Sequence, residues 1–371
     1  MIGGSEIEAQ RVCAALRTRG WKLTVLCAGG PPMPDEESWQ DPYGTPVESF
    51  GSSTRWGVYR YALGVLWRLW RRRRSYRLVY FLMPGLQVAL GVPLAAWLNK
   101  TIVMKFSGSN EVRKLLASPL GRWELSALAR YAHRILLLND GMFAEAAEAK
   151  LPVEKLEWMP NPVDIRSFAP LPATQRSALR EEFSIAPGDF TILFVGRLAP
   201  EKMLPVLLNG FASFAQQQPQ ARLILVGDGP ERPSLEKLAA SLHISHAVRF
   251  TGRTDPAVVH RWLQCADAFA LLSKLEGFPV ALLEAMAVGL PSVVSDIPAN
   301  VQLITHGDRG LTVPVGDETA VAAAFAHLQA KPAQAAAWGA TARQYVETRF
   351  SLESIARRYE NLFDAGGIPS A

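Results

Sequence analysis

The feature that most constrains this chain is an alternation of short apolar runs, rich in β-branched and aromatic residues, with longer stretches of helical pattern. The runs Lys22 to Cys27, Arg77 to Leu82, Thr101 to Phe106 and Arg134 to Leu138 are separated by enough chain for helices, and parallel strands need crossovers of that kind. A second series follows: Phe190 to Val195, Ala221 to Val226, Val248 to Phe250, Ala268 to Leu272, Ser292 to Val294 and Gly310 to Val313. At 371 residues the chain exceeds one ordinary core, since single cores stop growing near about 250 residues. The pattern predicts an α/β protein of two Rossmann-like, doubly wound domains with ligands at the C-terminal ends of the strands. Prolines 160, 162, 170, 172 and 187 cluster between the series. They place a first domain over 1–170, a linker over 171–188 and a second domain over 189–351. Leu352 to Phe363 is a last helical stretch with no strand after it, and residues 365–371 read as a frayed tail.

Composition narrows the class. Hydrophobic residues make up 49% and charged residues 20%, as in a folded, core-bearing protein. Three widely spaced cysteines, Cys13, Cys27 and Cys265, form neither a disulfide framework nor a metal cluster and fit a reducing cytoplasm. His243 and His246 lack companion ligands, so no metal is expected. Residues 78–98 are nearly all apolar, but Pro84, Gly85, Gln87, Gly91 and Pro93 interrupt them, which predicts a buried strand, a turn and a core helix in place of a membrane span. The start carries no signal-peptide pattern. Positive charge is concentrated at the front, where residues 1–165 carry 21 Lys/Arg against 15 Asp/Glu. Arg71, Arg72, Arg73 and Arg74 follow Trp67 and Trp70, with Arg55, Trp56, Tyr59 and Arg60 upstream. That stretch suits contact with an anionic membrane surface, peripheral on the inner face, or else a plain surface helix whose arginines complement its C-terminal dipole. No recognised motif points to nucleic acid.

Two segments can carry chemistry. After the strand ending at Val195 come Gly196, Arg197 and, beyond Pro200-Glu201, Lys202. Cations just past a strand end suit phosphate, although two solvated surface cations would look the same in sequence. The second segment, Glu276-Gly277-Phe278-Pro279-Val280, leads into a helix through Leu283 and Glu284. Its backbone N–H groups and helix dipole make an anion site suited to a diphosphate, and Pro279 fits a position whose N–H is unpaired anyway. Glu276 and Glu284 are then placed on either side of such a diphosphate, and carboxylates accept hydrogen bonds from paired hydroxyls.

Together Gly196-Arg197, Lys202 and Glu276-x7-Glu284 resemble the retaining glycosyltransferases of family four, which have the GT-B fold, two such domains facing a central cleft. The likeness extends over nearly the whole chain: Val226-Gly227-Asp228-Gly229-Pro230, Phe250-Thr251-Gly252-Arg253, Asn161-Pro162-Val163-Asp164 and Gly3-Gly4-Ser5-Glu6 are similar to further family segments. The resemblance implies that Arg197 and Lys202 neutralise a UDP- or GDP-sugar diphosphate and that Glu276 holds the transferred sugar. It implies that Glu284 binds the ribose, that the backbone around Arg253 reads the base, and that Gly277 to Val280 cradle phosphate. Gly4, Gly196 and Gly227 would line the same donor, and residues 352–371 would form a helix crossing back to the first domain. It implies transfer to a glycan or lipid-linked acceptor with no metal or other cofactor. Two features depart from the family pattern. The chain starts only two residues before Gly3, so the usual central first strand is expected to be missing, and Ser107-Gly108-Ser109-Asn110 stands where many relatives have a histidine. An epimerase or phosphorylase of the same fold, or a binding protein without turnover, remain the alternatives.

Overall fold

A computed structural model describes residues 4–28, 37–41, 44–51 and 55–365. The chain divides into two compact units, Met1–Pro162 together with Leu352–Ala371, and Val163–Ser351. In chain order the first unit holds α1 (Gly4–Thr18), β1 (Val25–Ala28), β2 (Glu37–Gln40), β3 (Pro46–Phe50), α2 (Arg55–Arg71), β4 (Leu78–Phe81), α3 (Leu86–Trp97), β5 (Thr101–Lys105), α4 (Glu111–Leu116), α5 (Pro119–Tyr131), β6 (Arg134–Leu137), α6 (Asp140–Glu148) and β7 (Leu156–Trp158). The second unit holds α7 (Ala173–Glu182), β8 (Phe190–Val195), α8 (Leu204–Ala215), β9 (Ala221–Val226), α9 (Arg232–Ser241), β10 (Val248–Gly252), α10 (Val259–Cys265), β11 (Ala268–Leu271), α11 (Val280–Val288), β12 (Ser292–Ser295), α12 (Pro298–Val301), β13 (Leu311–Val313), α13 (Glu318–Ala330) and α14 (Pro332–Arg349). The chain then returns to the first unit as α15 (Leu352–Ala365). The tail beyond Ala365 lies outside the described residues.

The boundary falls at Pro162, ahead of the predicted 170, and the segment 171–188 is built into the second unit as α7. Arg176 and Arg180 of α7 both bond Asp267, at 2.6 Å and 3.1 Å, and Arg180 also donates to the carbonyls of Cys265, Ala186 and Asp189. The prolines that suggested a linker punctuate elements of a compact domain: Pro172 caps α7, a position that needs no donor.

All six strands of the second unit lie in one parallel sheet, ordered β10-β9-β8-β11-β12-β13. The interiors of β8, β9, β11 and β12 are buried, as expected of strands covered on both faces, which is why they read as unbroken apolar runs. In the first unit the strands form two sheets, β1-β3-β2 and β4-β5-β6-β7. β1 and β4 are end strands of those sheets, and among the described residues no strand lies beside either outer edge. Leu26 of β1 and Val79 of β4 nevertheless pack against one cluster, Phe50, Val65 and Leu69. His133 is structural: its Nδ1 accepts from the Ile102 N–H at 3.1 Å.

The first unit closes around a buried charge. Lys105, at the end of β5, is fully buried, and its Nζ lies 2.6 Å from Glu8 of α1, 3.0 Å from Asn161 Oδ1 and 3.3 Å from the Tyr359 hydroxyl of α15. Tyr359 in turn bonds Tyr80 of β4 at 3.0 Å. Burial works against the Lys105 charge, but Tyr359 and Glu8 outweigh it and hold its pKa above the ordinary value. Val12, Leu16, Ile355, Leu362 and Phe363 pack around this cluster. Lys105→Met should destabilise the first unit by about 3 to 5 kcal/mol, because it strands Glu8 as an unpaired buried carboxylate, and Glu8→Leu/Lys105→Met should recover most of that loss. Eight of the ten tryptophans lie in this unit, so urea unfolding followed by tryptophan fluorescence reads the effect.

Glu124 of α5 is also buried, and its two oxygens share the Gly85 N–H at 3.1 Å and 3.2 Å, fixing the turn after β4. Burial pushes its pKa from 4.5 up to about 7 against the opposing Gly85 bond. The fold therefore favours the protonated acid: its contribution is complete below pH 4.5 and is lost as pH rises through about 7. Wild-type protein should lose about 2 to 3 kcal/mol more stability between about pH 5 and about pH 8.5 than Glu124→Gln, which paired urea titrations at the two pH values measure.

Candidate functional site

The strand order of the second sheet fixes where a ligand can sit. The chain leaves β8 for β9 and β10, then returns to the other side of β8 as β11. Crossover helices on opposite sides part the loops after β8 and β11, and in open α/β sheets ligands bind in that crevice. The loops concerned are Gly196 to Lys202 and Ser273 to Pro279, the two segments singled out in the sequence.

A charge pair joins them. Lys202 Nζ lies 2.7 Å from Glu276 Oε1, with the two side chains 18% and 11% exposed. The backbone repeats the link, since the Lys274 N–H donates to the Glu201 carbonyl at 2.9 Å. Glu276 is held from behind: Ser273 donates to the same Oε1 at 2.6 Å, Ser295 Oγ donates to the Ser273 carbonyl, and Asn300 donates to Ser295 Oγ at 3.0 Å. Ser273, Ser295 and Asn300 are buried, so this relay fixes a carboxylate whose outer side remains open to solvent. These three residues were not singled out in the sequence. Their only local signal was a polar residue ending an apolar strand, at Leu272-Ser273 and Val294-Ser295.

Arg197 differs from Lys202. It is exposed and makes no ion pair or hydrogen bond among the described residues. Across the loop from it, α11 starts at Val280 with Pro279 as its N-cap, and the Pro279 carbonyl accepts from Leu282 and Leu283 at 3.1 Å and 3.2 Å. Phe278 turns inward and packs on Phe350 with ring centroids 5.8 Å apart, which anchors the Gly277–Pro279 turn. The first N–H groups of the helix have no carbonyl one turn earlier and face the end of the sheet. Glu284, one turn into α11, is 8% exposed and thus does not lie on a solvated face.

On the other side of β8 the glycine loops are packed backbone to backbone. A Cβ on Gly227 would lie 1.9 Å from the Gly196 carbonyl oxygen, and one on Gly229 would lie 2.2 Å from that of Leu198. Hydrogen bonds lock the contact, from Leu198 N to Asp228 O at 3.1 Å and from Gly227 N to Gly252 O at 3.1 Å. Arg253 follows β10, two strands from β8, so it stands about 10 Å along the sheet edge at the usual strand spacing. The structure thus brings Gly196, Arg197, Lys202, Gly227, Arg253, Glu276, Gly277, Phe278, Pro279, Val280 and Glu284 to one edge of one sheet. Gly4 belongs to the first unit, where it opens α1, and Gly3 lies outside the described residues. Ser107 and Asn110 are also in the first unit, their N–H groups held by Glu111 and Glu145 at 3.0 Å and 2.7 Å. Among the described residues no group of three His, Cys, Asp or Glu side chains is arranged to hold a metal. A depression of about 350 Å³ beside Arg176, Asp267 and Leu290 lies at the opposite ends of the strands, where those charges pair with each other.

A sequence model described as Glycosyl transferases group 1 matches residues 175–345, and one described as Glycosyltransferase Family 4 matches residues 2–167. The chain is 31% identical, over 66% of its length and 68% of the relative's, to GDP-mannose-dependent alpha-(1-6)-phosphatidylinositol monomannoside mannosyltransferase of Mycobacterium tuberculosis. It is 30% identical over 62% of its length to N-acetyl-alpha-D-glucosaminyl L-malate synthase of Bacillus anthracis, of which it spans 58%. Among solved structures it is similar to HepE of Anabaena in complex with UDP, with a TM-score of 0.81 and 19% identity over 98% of this chain and 97% of that one. At that identity the likeness is one of fold.

The glycine contacts make a direct test. Gly227→Ala or Gly229→Ala forces the loops after β8 and β9 apart, and each should cost the second unit about 2 kcal/mol or more. Asp228→Ala, on the exposed side of the same loop, should cost less than about 0.5 kcal/mol in the same thermal denaturation.

Proposed function

This chain belongs to glycosyltransferase family four, with the GT-B fold, and from that premise we propose that it moves a sugar from a nucleotide-diphosphate sugar to a glycan or lipid-linked acceptor with retention of configuration. The observation that carries this reading is the Lys202–Glu276 pair, which spans the crevice between the loops after β8 and β11 beside the start of α11 and the exposed Arg197. In the reaction the bond from the sugar C1 to the diphosphate breaks, the acceptor oxygen bonds C1, and the acceptor proton passes to a departing phosphate oxygen. Negative charge grows on the diphosphate as C1 becomes cation-like. Arg197, Lys202 and the first N–H groups of α11 meet the first change with fixed positive charge, and such preorganised groups stabilise a transition state most. Glu276 meets the sugar hydroxyls, Glu284 the ribose, and the backbone around Gly227 and Arg253 the nucleoside.

The cations on the chain supply the charge that a metal would otherwise bring. The name of one relative mentions GDP-mannose and that of the structural neighbour mentions UDP, so the proposal includes either base. A second reading, nucleotide-sugar binding without transfer, draws on the division of the first unit's strands into two sheets.

A panel of UDP- and GDP-sugars should contain at least one that raises the melting temperature of the full chain, by mass action on the folded state. With that donor, Lys202→Ala and Glu276→Ala should each lower kcat for donor hydrolysis or transfer by about 100-fold or more, and a chelator should leave the rate unchanged. Lack of stabilisation by every donor would defeat both readings, whereas stabilisation without turnover would select the second.

A further inference from the structure

We propose that the outer face of α2 docks the protein on an anionic lipid surface, with its aromatic side chains in the headgroup region and arginines on the phosphates. The helix has two apolar faces. Ala62, Val65 and Leu69 are buried against the first unit. On the other side Trp56, Tyr59, Leu63, Trp67 and Trp70 are 49% to 80% exposed. Their spacing of three or four residues aligns them in one stripe about 21 Å long. Large exposed apolar patches mark interaction surfaces, and tryptophan and tyrosine are the side chains that favour the boundary between lipid and water.

The charges name the partner. Residues 55–74 hold seven arginines and no acid. The four at 71–74 are not equivalent. Arg72 bonds Glu48 at 2.7 Å, and Arg68 bonds the same carboxylate at 2.9 Å while covering the Phe50 ring. Those two fasten α2 to β3. Arg71 lies over the Trp67 ring at 4.9 Å and Arg73 over the Trp70 ring at 4.8 Å, which holds their guanidinium groups at the level of the stripe. Arg74 is exposed and unpaired among the described residues. Cations level with interfacial aromatics, and no carboxylate in the same segment, suit a bilayer of negative headgroups better than a protein surface, where charges of both signs must be matched. α3 packs against both α2 and α5, and α3 and α5 expose one tryptophan each, Trp97 and Trp123.

The test is cosedimentation of the full chain with phosphatidylcholine vesicles, with and without about one third phosphatidylglycerol. Binding should require the anionic lipid and fall when salt rises from about 0.1 M to about 1 M. Arg71→Gln/Arg74→Gln should lower the partition coefficient about tenfold or more, whereas Lys237→Gln/Lys331→Gln in the second unit should not change it. Trp67→Ser/Trp70→Ser, with the arginines intact, should lose the quenching of tryptophan fluorescence by brominated lipid chains. All substituted side chains are exposed, and circular dichroism together with donor-induced stabilisation in the absence of lipid checks that the variants fold. That stabilisation also separates this inference from the donor-site reading, because it reads donor binding with no membrane present. Wild-type protein that ignores anionic vesicles, variants that bind like wild type, or a dimer that Trp67→Ser/Trp70→Ser dissociates while vesicles stay unbound would each overturn the proposal.

Discussion

The adjacency of β8 and β11 in the second sheet governs the donor site proposed for this protein. Because β9 and β10 lie on one side of β8 and β11 to β13 on the other, the loops after β8 and β11 part where their strands meet. The Lys202–Glu276 pair, the Lys274–Glu201 backbone bond and the start of α11 all occupy that one place. The glycine contacts serve the same geometry from the far side. Gly227 and Gly229 let the loop after β9 press on the backbone of Gly196 and Leu198, so the cationic loop is braced between two neighbours.

The first unit relies on a different device. A lysine, a glutamate, two tyrosines and an asparagine from α1, β5, β4, α15 and the end of the unit meet in its interior. Buried ion pairs add little net stability, but breaking one is costly, so such a cluster tolerates few alternative packings. That exactingness suits a unit whose last helix arrives after the whole second unit has been made.

Much of this was legible in the amino-acid order. Buried parallel strands announce themselves as apolar runs, and all six of the second unit were found with ends shifted by at most two residues. Three strands of the first unit were missed for physical reasons. β7 is three residues long and carries Glu157, while β3 opens on Pro46 and has the adjacent polar residues Glu48 and Ser49 in place of an apolar run. The supposed linker misled because prolines mark helix starts as readily as domain boundaries. At the candidate site the charged residues stood out, but Ser273, Ser295 and Asn300 did not. Their role depends on β11 and β12 lying side by side, a pairing that local sequence does not express.

The Lys202–Glu276 pair also bears on selectivity. Lys202 and Glu276 already neutralise each other, beside the exposed Arg197 and the start of α11. An incoming phosphate that drew Lys202 away would take the ammonium from Glu276, whose position a relay of three buried residues fixes. On the proposed donor reading, a ligand that brings both an anion for the lysine and hydroxyls for the carboxylate would compensate both halves at once. Under that reading the pair would act as a two-key lock, one that phosphate without a sugar would open only by half.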